Sequence, residues 1–484
     1  MSMRMIRTLG GLGLLATCLT TGSALAQWTT GATCGWGADD CNRCVPDAVA
    51  AVNNLRDHGD VLGFFPMGDP VTLFNHWQGI QRLPGGGGRY LALSHSGTTK
   101  AFTVVEMGSR NTEGTRFRSN RLAPNASYPA TSPPGEDRAI TDAWFWDMTY
   151  THSGGMQASG NLLAVPLEAG SSGENGRVVF YDMATPWSPV RLPVSQSGQT
   201  TEAGTASLAK LSDGHFLLIL GRANANNLEL YRSTEVDLRS AATGFALLDN
   251  WNEGELRSSI GDWEFGNYQN LNLVTQCDGT LFLVGTHLNS YNREDWIDLF
   301  RLSEEYGQTV ITKVAKKHLY CGYPSPGYDS GTNRQCNLDA AGGVYVDPSG
   351  QLIVYGTEHD NDGPSGSVKM MEFRSTFPNP GCDSDINRAF VEFYDDSNFS
   401  DRGLMVDYPD YGKEQYSNFS YVEGFTDKTS AVRYCLPYGW RARIYEHSNF
   451  GGSYRELSGR GSLNLNNVSF GDKTSSMRFL YLGY

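Results

Sequence analysis

The sequence predicts an all-β protein whose largest part, residues 59–375, is a β-propeller of five to seven blades, followed by a second β domain. Three observations carry this prediction. A strand–glycine turn–strand pattern recurs five times, its second strands are apolar on both faces, and helix signals are few, the clearest spanning 47–55. Serial units of short strands on this scale are typical of propellers. A large β-sandwich, which also gives serial hairpins, is the alternative.

Each repeat places an apolar strand directly after a turn such as Asp213-Gly214 or Asp278-Gly279, which are hairpin signals. The predicted second strands are 89–93, 162–165, 216–220, 281–284 and 352–355. The predicted third strands are 102–105, 178–181, 228–231, 297–300 and 368–371. The repeats are longer than the roughly 40–50 residues of compact blades, so either loops are inserted or further, degenerate blades are present.

A polar residue opens each repeat, and these five residues are in register: His76, His152, Glu202, Asn267 and Asp339. In a propeller the innermost strands line the central channel, so we expect these side chains to converge at one end of the axis. Two imidazoles, two carboxylates and an amide there would bind a ligand or metal. The alternative is a hydrated channel lining that binds nothing. Trp144-Phe145-Trp146 is either a platform for a sugar ring or ordinary packing.

The N-terminus predicts export. Residues 1–26 combine Arg4 and Arg7, an apolar stretch and a small-residue cleavage site at Ala24-Leu25-Ala26, as in secretory signals. A lipid anchor at Cys18 is the alternative, and no later stretch is long and apolar enough to span a bilayer. Removal of the signal changes the net charge from −14 to −16, which argues against nucleic acid or anionic lipid as a partner.

Cysteine usage agrees with an oxidising compartment, because eight of the nine cysteines remain after cleavage. Cys321 and Cys336 bracket a Gly/Pro/Ser loop and are predicted to form a disulfide. Cys41-x2-Cys44 is half of a zinc motif, but no second Cys or His pair lies nearby, so disulfides are favoured. A Cys-rich segment, 27–58, thus precedes the propeller. A Pro/Gly-rich linker, 376–387, follows it, and Cys382 in that linker would staple it to the last domain if it pairs with Cys435.

The C-terminal domain, 388–484, carries two near copies of one motif. They are Phe425-Thr426-Asp427-Lys428-Thr429-Ser430 and Phe470-Gly471-Asp472-Lys473-Thr474-Ser475, each before a short apolar strand. A Tyr-x4-Phe-x-Gly corner, Tyr445 to Gly452, lies between them. With this corner, residues 388–482 resemble the βγ-crystallin domain in its microbial calcium-binding form, which implies a double Greek key.

The resemblance implies calcium as the cofactor, at sites that each combine a loop of one Greek key with part of the other. Asp427 and Ser430 would be donors around one site, and Asp472 and Ser475 around the other. Carboxylate, hydroxyl and carbonyl oxygens suit this ion, which takes six to eight of them. The chain departs from the family motif at Thr426, at Gly471 and at Ala431, which replaces the final Ser. The first corner, Tyr394-x4-Phe399, is followed by Asp401 instead of Gly. We therefore expect weaker calcium binding at the first site. The alternative is that both motifs only cap turns.

Two functions follow from this organisation. The first is an exported, non-catalytic calcium-binding protein whose propeller binds an extracellular glycan or a surface protein. The second is a secreted hydrolase or lyase acting on polysaccharide, with axial carboxylates as acid and base. Such chemistry needs two acids about 5–10 Å apart, and Glu202 and Asp339 are the acids in register. Whether the protein is an enzyme is left open by the sequence.

Overall fold

The structure is a computed structural model. It describes residues 43–57, 59–64, 76–96, 100–107, 138–144, 149–150, 152–170, 173–222, 225–260, 265, 268–288, 294–305, 308–321, 336–348, 350–358, 368–374, 389–399, 403–408, 415–416, 418–419 and 426–482. The predicted signal, the linker, Asn267, the Phe-Trp pair at 145–146 and Cys382 lie outside the described residues.

The described chain begins with a short segment that is tied to later parts of the sequence. It comprises β1 (Cys44–Val45), α1 (Ala48–Asn53) and β2 (Asp60–Phe64). The Asp47 side chain caps α1 by accepting a hydrogen bond from the Ala50 backbone N–H at 2.9 Å, as expected for an N-terminal cap. The helix predicted at 47–55 is thus present. A disulfide joins Cys44 to Cys277, which fixes this segment to the fourth sheet described below.

Within the described residues, the central region contains five sheets, and each is built on an antiparallel meander of successive strands. The first contains β3 (Trp77–Leu83), β4 (Tyr90–His95), β5 (Lys100–Glu106) and β6 (Arg138–Trp144). The second contains β7 (His152–Ser153), β8 (Gln157–Ser159), β9 (Leu162–Glu168), β10 (Arg177–Asp182) and β11 (Val190–Ser197). The third contains β12 (Thr205–Lys210), β13 (Phe216–Gly221), β14 (Leu228–Ser233) and β15 (Phe245–Trp251).

The last two sheets also recruit the N-terminal strands. The fourth contains β16 (Asn270–Gln276), β17 (Leu281–Leu288), β18 (Asp295–Glu305) and β19 (Gln308–Leu319), with β1 added parallel to β16. The fifth contains β20 (Ala341–Val346), β21 (Leu352–Thr357), β22 (Val368–Arg374) and β2. A helix that the sequence did not predict, α2 (Glu253–Ile260), joins the third and fourth sheets. Five separate small sheets are not the two large sheets of a sandwich.

One strand from each of the five sheets, β8 in the second sheet and the first long strand in the others, contacts its neighbours in cyclic order. β3 contacts β8, β8 contacts β12, β12 contacts β16, β16 contacts β20, and β20 returns to β3. The strands approach most closely at glycines, where a side chain would clash with the neighbouring strand. A Cβ on Gly154 would lie 1.9 Å from the Gly204 carbonyl oxygen, and one on Gly343 would lie 1.7 Å from that of Ile80. These strands therefore form one cycle of neighbouring contacts.

Five apolar clusters fill the spaces between neighbouring sheets, one cluster for each pair. β13 shows how the sequence produces this. Phe216, Leu218 and Leu220 face the second sheet, while Leu217 and Ile219 face the fourth. Because successive strand side chains point to opposite faces, a strand between two sheets is apolar at every position. Each such buried leucine stabilises the fold by about 1.5–3 kcal/mol. All the predicted second and third strands lie within or overlap observed strands.

The C-terminal part is a pair of four-stranded sheets that exchange strands. One contains β23 (Phe390–Tyr394), β24 (Gly403–Asp407), β26 (Ala431–Cys435) and β29 (Arg460–Asn464). The other contains β25 (Gln415–Tyr416), β27 (Trp440–His447), β28 (Gly451–Ser458) and β30 (Ser476–Tyr481). Each half of the sequence lends one strand, β25 or β29, to the sheet of the other half. This is a βγ-crystallin-like double Greek key with one shared core.

Three cysteine pairings bear on the predictions. Cys321 and Cys336 form a disulfide, as predicted. Cys44 pairs with Cys277, which excludes Cys44 from a zinc site. Cys435 is also disulfide-bonded, and Cys382, its predicted partner, lies outside the described residues. No helix in the described part of the chain has the length and apolar character that a bilayer crossing requires.

Candidate functional site

The residues predicted to converge on the axis occupy different environments. His76 and Glu202 are exposed, and Asp339 is half-buried. His152 is half-buried, and its Nδ1 lies 2.9 Å from Oε2 of Glu168 in the next strand. Ser96 brings the backbones of the two histidines close, because it donates to the His76 carbonyl and bridges to His152.

A second set of polar side chains, which are buried, lies farther along the strands that contact one another. Gln81, Gln157, Ser207 and Asn272 are each at most 5% exposed. Gln81 Nε2 lies 3.4 Å from Asn272 Oδ1, and Ser207 donates to the Leu271 carbonyl at 2.8 Å. Sequence reasoning missed this row, although a signal existed: Gln81 and Gln157 each stand five residues after the histidine that opens their repeat.

Gln157 has the most contacts in this row. Its Nε2 donates to the Leu273 carbonyl at 2.7 Å, and its Oε1 accepts from the backbone N–H groups of Leu208 at 3.0 Å and Leu273 at 2.8 Å. Asn272 Nδ2 donates to the Met156 carbonyl at 3.2 Å. These bonds join the second, third and fourth sheets, so the central amides act as a connector between strands.

Three further acids lie buried on the third strands: Glu229, Asp298 and Glu372. Glu229 and Asp298 are at equivalent register positions, whereas Glu372 is offset by one residue and lies on the other face of its sheet. Each accepts a hydrogen bond from a tyrosine hydroxyl, supplied by Tyr231, Tyr268 and Tyr355 respectively. Burial alone would raise the pKa of Asp298. The hydrogen bond and charge of His287, the charge of Lys313 and the hydrogen bond from Tyr268 lower it overall. These acids join strands and do not face the centre as an acid–base pair.

The two Asp-Lys-Thr-Ser loops meet in the C-terminal domain and are paired across the loops. Ser430 Oγ donates to Asp472 Oδ1 at 3.0 Å, and Ser475 Oγ donates to Asp427 Oδ1 at 2.8 Å. The sequence prediction grouped each aspartate with the serine of its own loop. The difference arises because strand exchange places each loop beside the other half of the domain.

The backbone of the two loops follows the same two-fold pattern. The Asp427 N–H donates to the Thr474 carbonyl, and the Asp472 N–H donates to the Thr429 carbonyl. Both aspartates have left-handed backbone, with φ of 55° and 53°, which Asp adopts more readily than most residues. The Thr429 and Thr474 hydroxyls are buried without a hydrogen-bond partner. The loops are therefore equivalent in shape, although their sequences differ at both ends.

Both aromatic corners are formed. The Tyr445 and Phe450 rings lie 5.6 Å apart edge to face, and the Tyr394 and Phe399 rings lie 5.7 Å apart in the same manner. The first corner thus forms although Asp401 replaces the family glycine. Each corner tyrosine also accepts, at its carbonyl, the backbone N–H of the loop serine, Ser430 or Ser475.

Ser476, directly after the second Asp-Lys-Thr-Ser motif, forms hydrogen bonds within the second aromatic corner. Ser476 Oγ donates to the His447 carbonyl at 2.7 Å and accepts from the Phe450 N–H at 3.1 Å. Ala431 occupies the matching position of the first motif and cannot form these bonds. The first corner therefore lacks the two hydrogen bonds that Ser476 forms in the second corner.

The donors of the loops are oxygens only. Within the described ranges, no three His, Cys, Asp or Glu side chains gather as metal ligands. Each crossed pair contributes one carboxylate and one hydroxyl, and backbone carbonyls of the loops lie nearby. This is the donor chemistry of a hard cation such as calcium, with water needed to complete six to eight ligands.

Comparisons with known proteins give a partial likeness. No protein-family model matches the chain, and no curated protein matches it. A βγ-crystallin from an archaeon is 24% identical, covers 19% of this chain and 98% of its own, and has a TM-score of 0.16. A βγ-crystallin domain from Flavobacterium johnsoniae is 22% identical, with 21% and 99% covered and a TM-score of 0.16. One from Clostridium beijerinckii is 21% identical, with 19% and 99% covered and a TM-score of 0.15.

Proposed function

We propose that this is an exported calcium-binding protein, without catalytic activity, whose central region is a five-bladed propeller that binds an extracellular glycan or surface protein. The observation that carries the calcium proposal is the crossed pairing of Asp427 with Ser475 and of Asp472 with Ser430. Two equivalent sets of oxygen donors are held by rigid backbone contacts between the loops.

The propeller proposal rests on three features. Five units of four or five strands follow one another in sequence, and one strand from each contacts the next in a cycle. β2, from the N-terminal end, supplies the last strand of the fifth sheet. Closure by an early strand joins the two ends of the region in one sheet, which stabilises a ring against opening at that blade.

The residues present fit calcium at the two loops. When bound, the ion would supply charge that balances the two carboxylates and would hold the loops together. The chain's own contribution is positional: the left-handed Asp427 and Asp472 present their carboxylates to the opposite loop, where the hydroxyls of Ser475 and Ser430 lie. The carboxylates of Asp427 and Asp472 and the hydroxyls of Ser475 and Ser430 would hold the ion through the oxygens that now share these hydrogen bonds.

Export is supported by the N-terminal signal pattern and by the disulfides Cys44–Cys277 and Cys321–Cys336. Stable disulfides are typical of oxidising compartments, where free calcium is also plentiful. The hydrolase alternative is not favoured, because buried hydrogen-bonded amides occupy the centre and Glu202 is exposed.

Calorimetric titration of the full-length protein with calcium tests the proposal. We expect two sites and a higher melting temperature, since binding to the folded state alone stabilises it by about 2.7 kcal/mol at a hundredfold excess over Kd. Asp427→Ala with Ser475→Ala should remove one site. Asp472→Ala with Ser430→Ala should remove the other.

A same-loop variant and a surface control make the test specific. Asp472→Ala with Ser475→Ala removes one donor from each crossed pair and should weaken both sites. Ser462→Ala, at an exposed position of β29, should change neither. The wild-type protein giving no calcium heat and no melting shift would refute the calcium proposal. A same-loop variant that keeps one intact site would refute the crossed assignment.

A further inference from the structure

A cavity of about 290 Å³ lies at the outer edge of the central region, between β15, α2 and β19. It thus sits where the last strand of the third sheet meets the last strand of the fourth. Trp251, Asp249 and Asn250 line it from β15, and Gln308 and Thr309 line it from β19. Its volume is near the lower end of the range for small-molecule sites, about 300–1,000 Å³.

The lining combines one aromatic ring with side chains that form several hydrogen bonds each. Trp251 offers an indole face, Asp249 and Glu255 offer carboxylates, and Asn250 and Gln308 offer amides that both donate and accept. Among the described residues that line it, none is a lysine, arginine or histidine. The nearest arginine of α2, Arg257, is engaged by Glu253 and by the Phe265 carbonyl. This chemistry favours a neutral polyhydroxylated ligand over an anion.

The pocket is held in shape before any ligand enters. Trp251 packs against the apolar cluster between the third and fourth sheets, while part of it stays accessible. Glu255 is fixed by a reciprocal cap with Asn252, whose side chain accepts from the Glu255 N–H and whose N–H donates to Glu255, both at 3.0 Å. Leu256 and Ile311 form an apolar floor. A preformed site loses little entropy on binding.

We propose that this pocket binds one or two rings of a neutral saccharide, with a sugar face on Trp251 and hydroxyl groups on Asp249, Asn250 and Gln308. The apolar C–H face of a pyranose matches an aromatic ring, and vicinal hydroxyls match carboxylate and amide pairs. The proposal rests on the proposed glycan-binding role of the central region and names its site.

The test uses the full-length protein and four neutral disaccharides: cellobiose, maltose, lactose and chitobiose. We expect at least one of them to bind in a calorimetric titration, and Trp251→Ala to raise its Kd at least tenfold. Asn250→Ala and Gln308→Ala change exposed side chains and should each raise Kd severalfold. Trp187→Ala is the matched control, since Trp187 is 53% exposed and lies outside the pocket; it should leave Kd unchanged.

Each outcome decides the proposal. If none of the four disaccharides binds, the saccharide pocket is wrong, whereas the calcium part of the proposed function is judged by its own titration. Binding that survives the Asn250 and Gln308 variants would leave the protein a glycan binder but place its site elsewhere. Should Trp251→Ala fail to fold, these two surface variants still give the answer.

Discussion

Gln157 shows how one side chain can join three sheets at the centre of the molecule. Its amide satisfies the backbone N–H groups of Leu208 and Leu273 and the carbonyl of Leu273. All of these groups are buried, so water cannot replace the glutamine without a rearrangement. A buried polar group without a partner costs about 1–3 kcal/mol. The residue therefore has a structural role that its polarity alone would not reveal.

We predict that Gln157→Leu lowers the free energy of unfolding by at least about 3 kcal/mol, because three backbone groups lose their partner. Urea denaturation measures the loss. Glu202→Ala is the control: this residue is exposed and should change stability by less than about 0.5 kcal/mol. A loss below 1 kcal/mol for Gln157→Leu would contradict the connector role.

Ser476 separates corner support from ion binding. Its hydroxyl bonds His447 and Phe450 in the second corner, whereas Ala431 leaves the first corner without an equivalent. We predict that Ser476→Ala lowers calcium-free stability by about 0.5–1.5 kcal/mol and leaves the number of calcium sites at two. Melting curves with chelator, beside a calcium titration, measure both quantities. Loss of one site in this variant would make Ser476 a ligand after all.

At the scale of the element, the second strands were predictable because their signal is local. Residues 216–220 are apolar on both faces, and they became β13, with alternate side chains facing two neighbouring sheets. The α2 helix was missed because only Leu256 is buried in it and Gly254 weakens its helix propensity. The crossed Asp–Ser pairing depends on strand exchange, which no local pattern encodes.

The third strands add buried acids that hold neighbouring elements, and Asp298 on β18 is the clearest case. Its Oδ2 accepts from Tyr268 at 2.5 Å and from Lys313 on β19 at 3.0 Å, and lies 3.3 Å from His287 Nε2 on β17. The lowered pKa of Asp298 means that its carboxylate is more stable in the folded protein than in the unfolded chain. It therefore stabilises the fourth sheet.

We predict that Asp298→Asn lowers the free energy of unfolding at pH 7 by about 3–5 kcal/mol, since Lys313 loses its buried partner. The carboxylate's contribution is present above the ordinary pKa of 3.8 and is lost as the pH falls through the lower folded value. The difference between wild type and variant should shrink over that range. Asp213→Asn is the control, because it changes an acid that is 49% exposed and pairs with Arg232. A loss of stability of about 0–1 kcal/mol is expected for this variant.

A pH-independent difference between the wild type and Asp298→Asn would contradict the role of Asp298.

At the scale of the whole molecule, the sequence predicted a Pro/Gly-rich linker, 376–387, between the central region and the C-terminal domain. The structure adds a buried contact between them. Arg56 Nε lies 3.5 Å from Glu392 Oε1, with side chains 3% and 0% exposed. Arg56 also donates from its backbone to the Arg374 carbonyl at the end of β22. On the other side, burial and the charge of Glu392 raise the pKa of Tyr394, which keeps this corner tyrosine neutral. The C-terminal domain is thus joined to the fifth sheet beside its own first corner.

This contact predicts coupled unfolding of the two halves. Arg56→Met or Glu392→Gln alone should cost about 3–5 kcal/mol, because each removes one member of a buried ion pair. The double variant should cost less than the sum of the two, since residues in direct contact couple by about 0.5–3 kcal/mol.

Asp57→Ala is the neighbouring control, as its ion pair with Lys317 is partly exposed and is worth about 0–1 kcal/mol. Scanning calorimetry should show one transition for the wild type and two for either single variant. Additive costs, or two transitions already in the wild type, would mean that the halves fold independently and that the Arg56–Glu392 pair only links two finished domains.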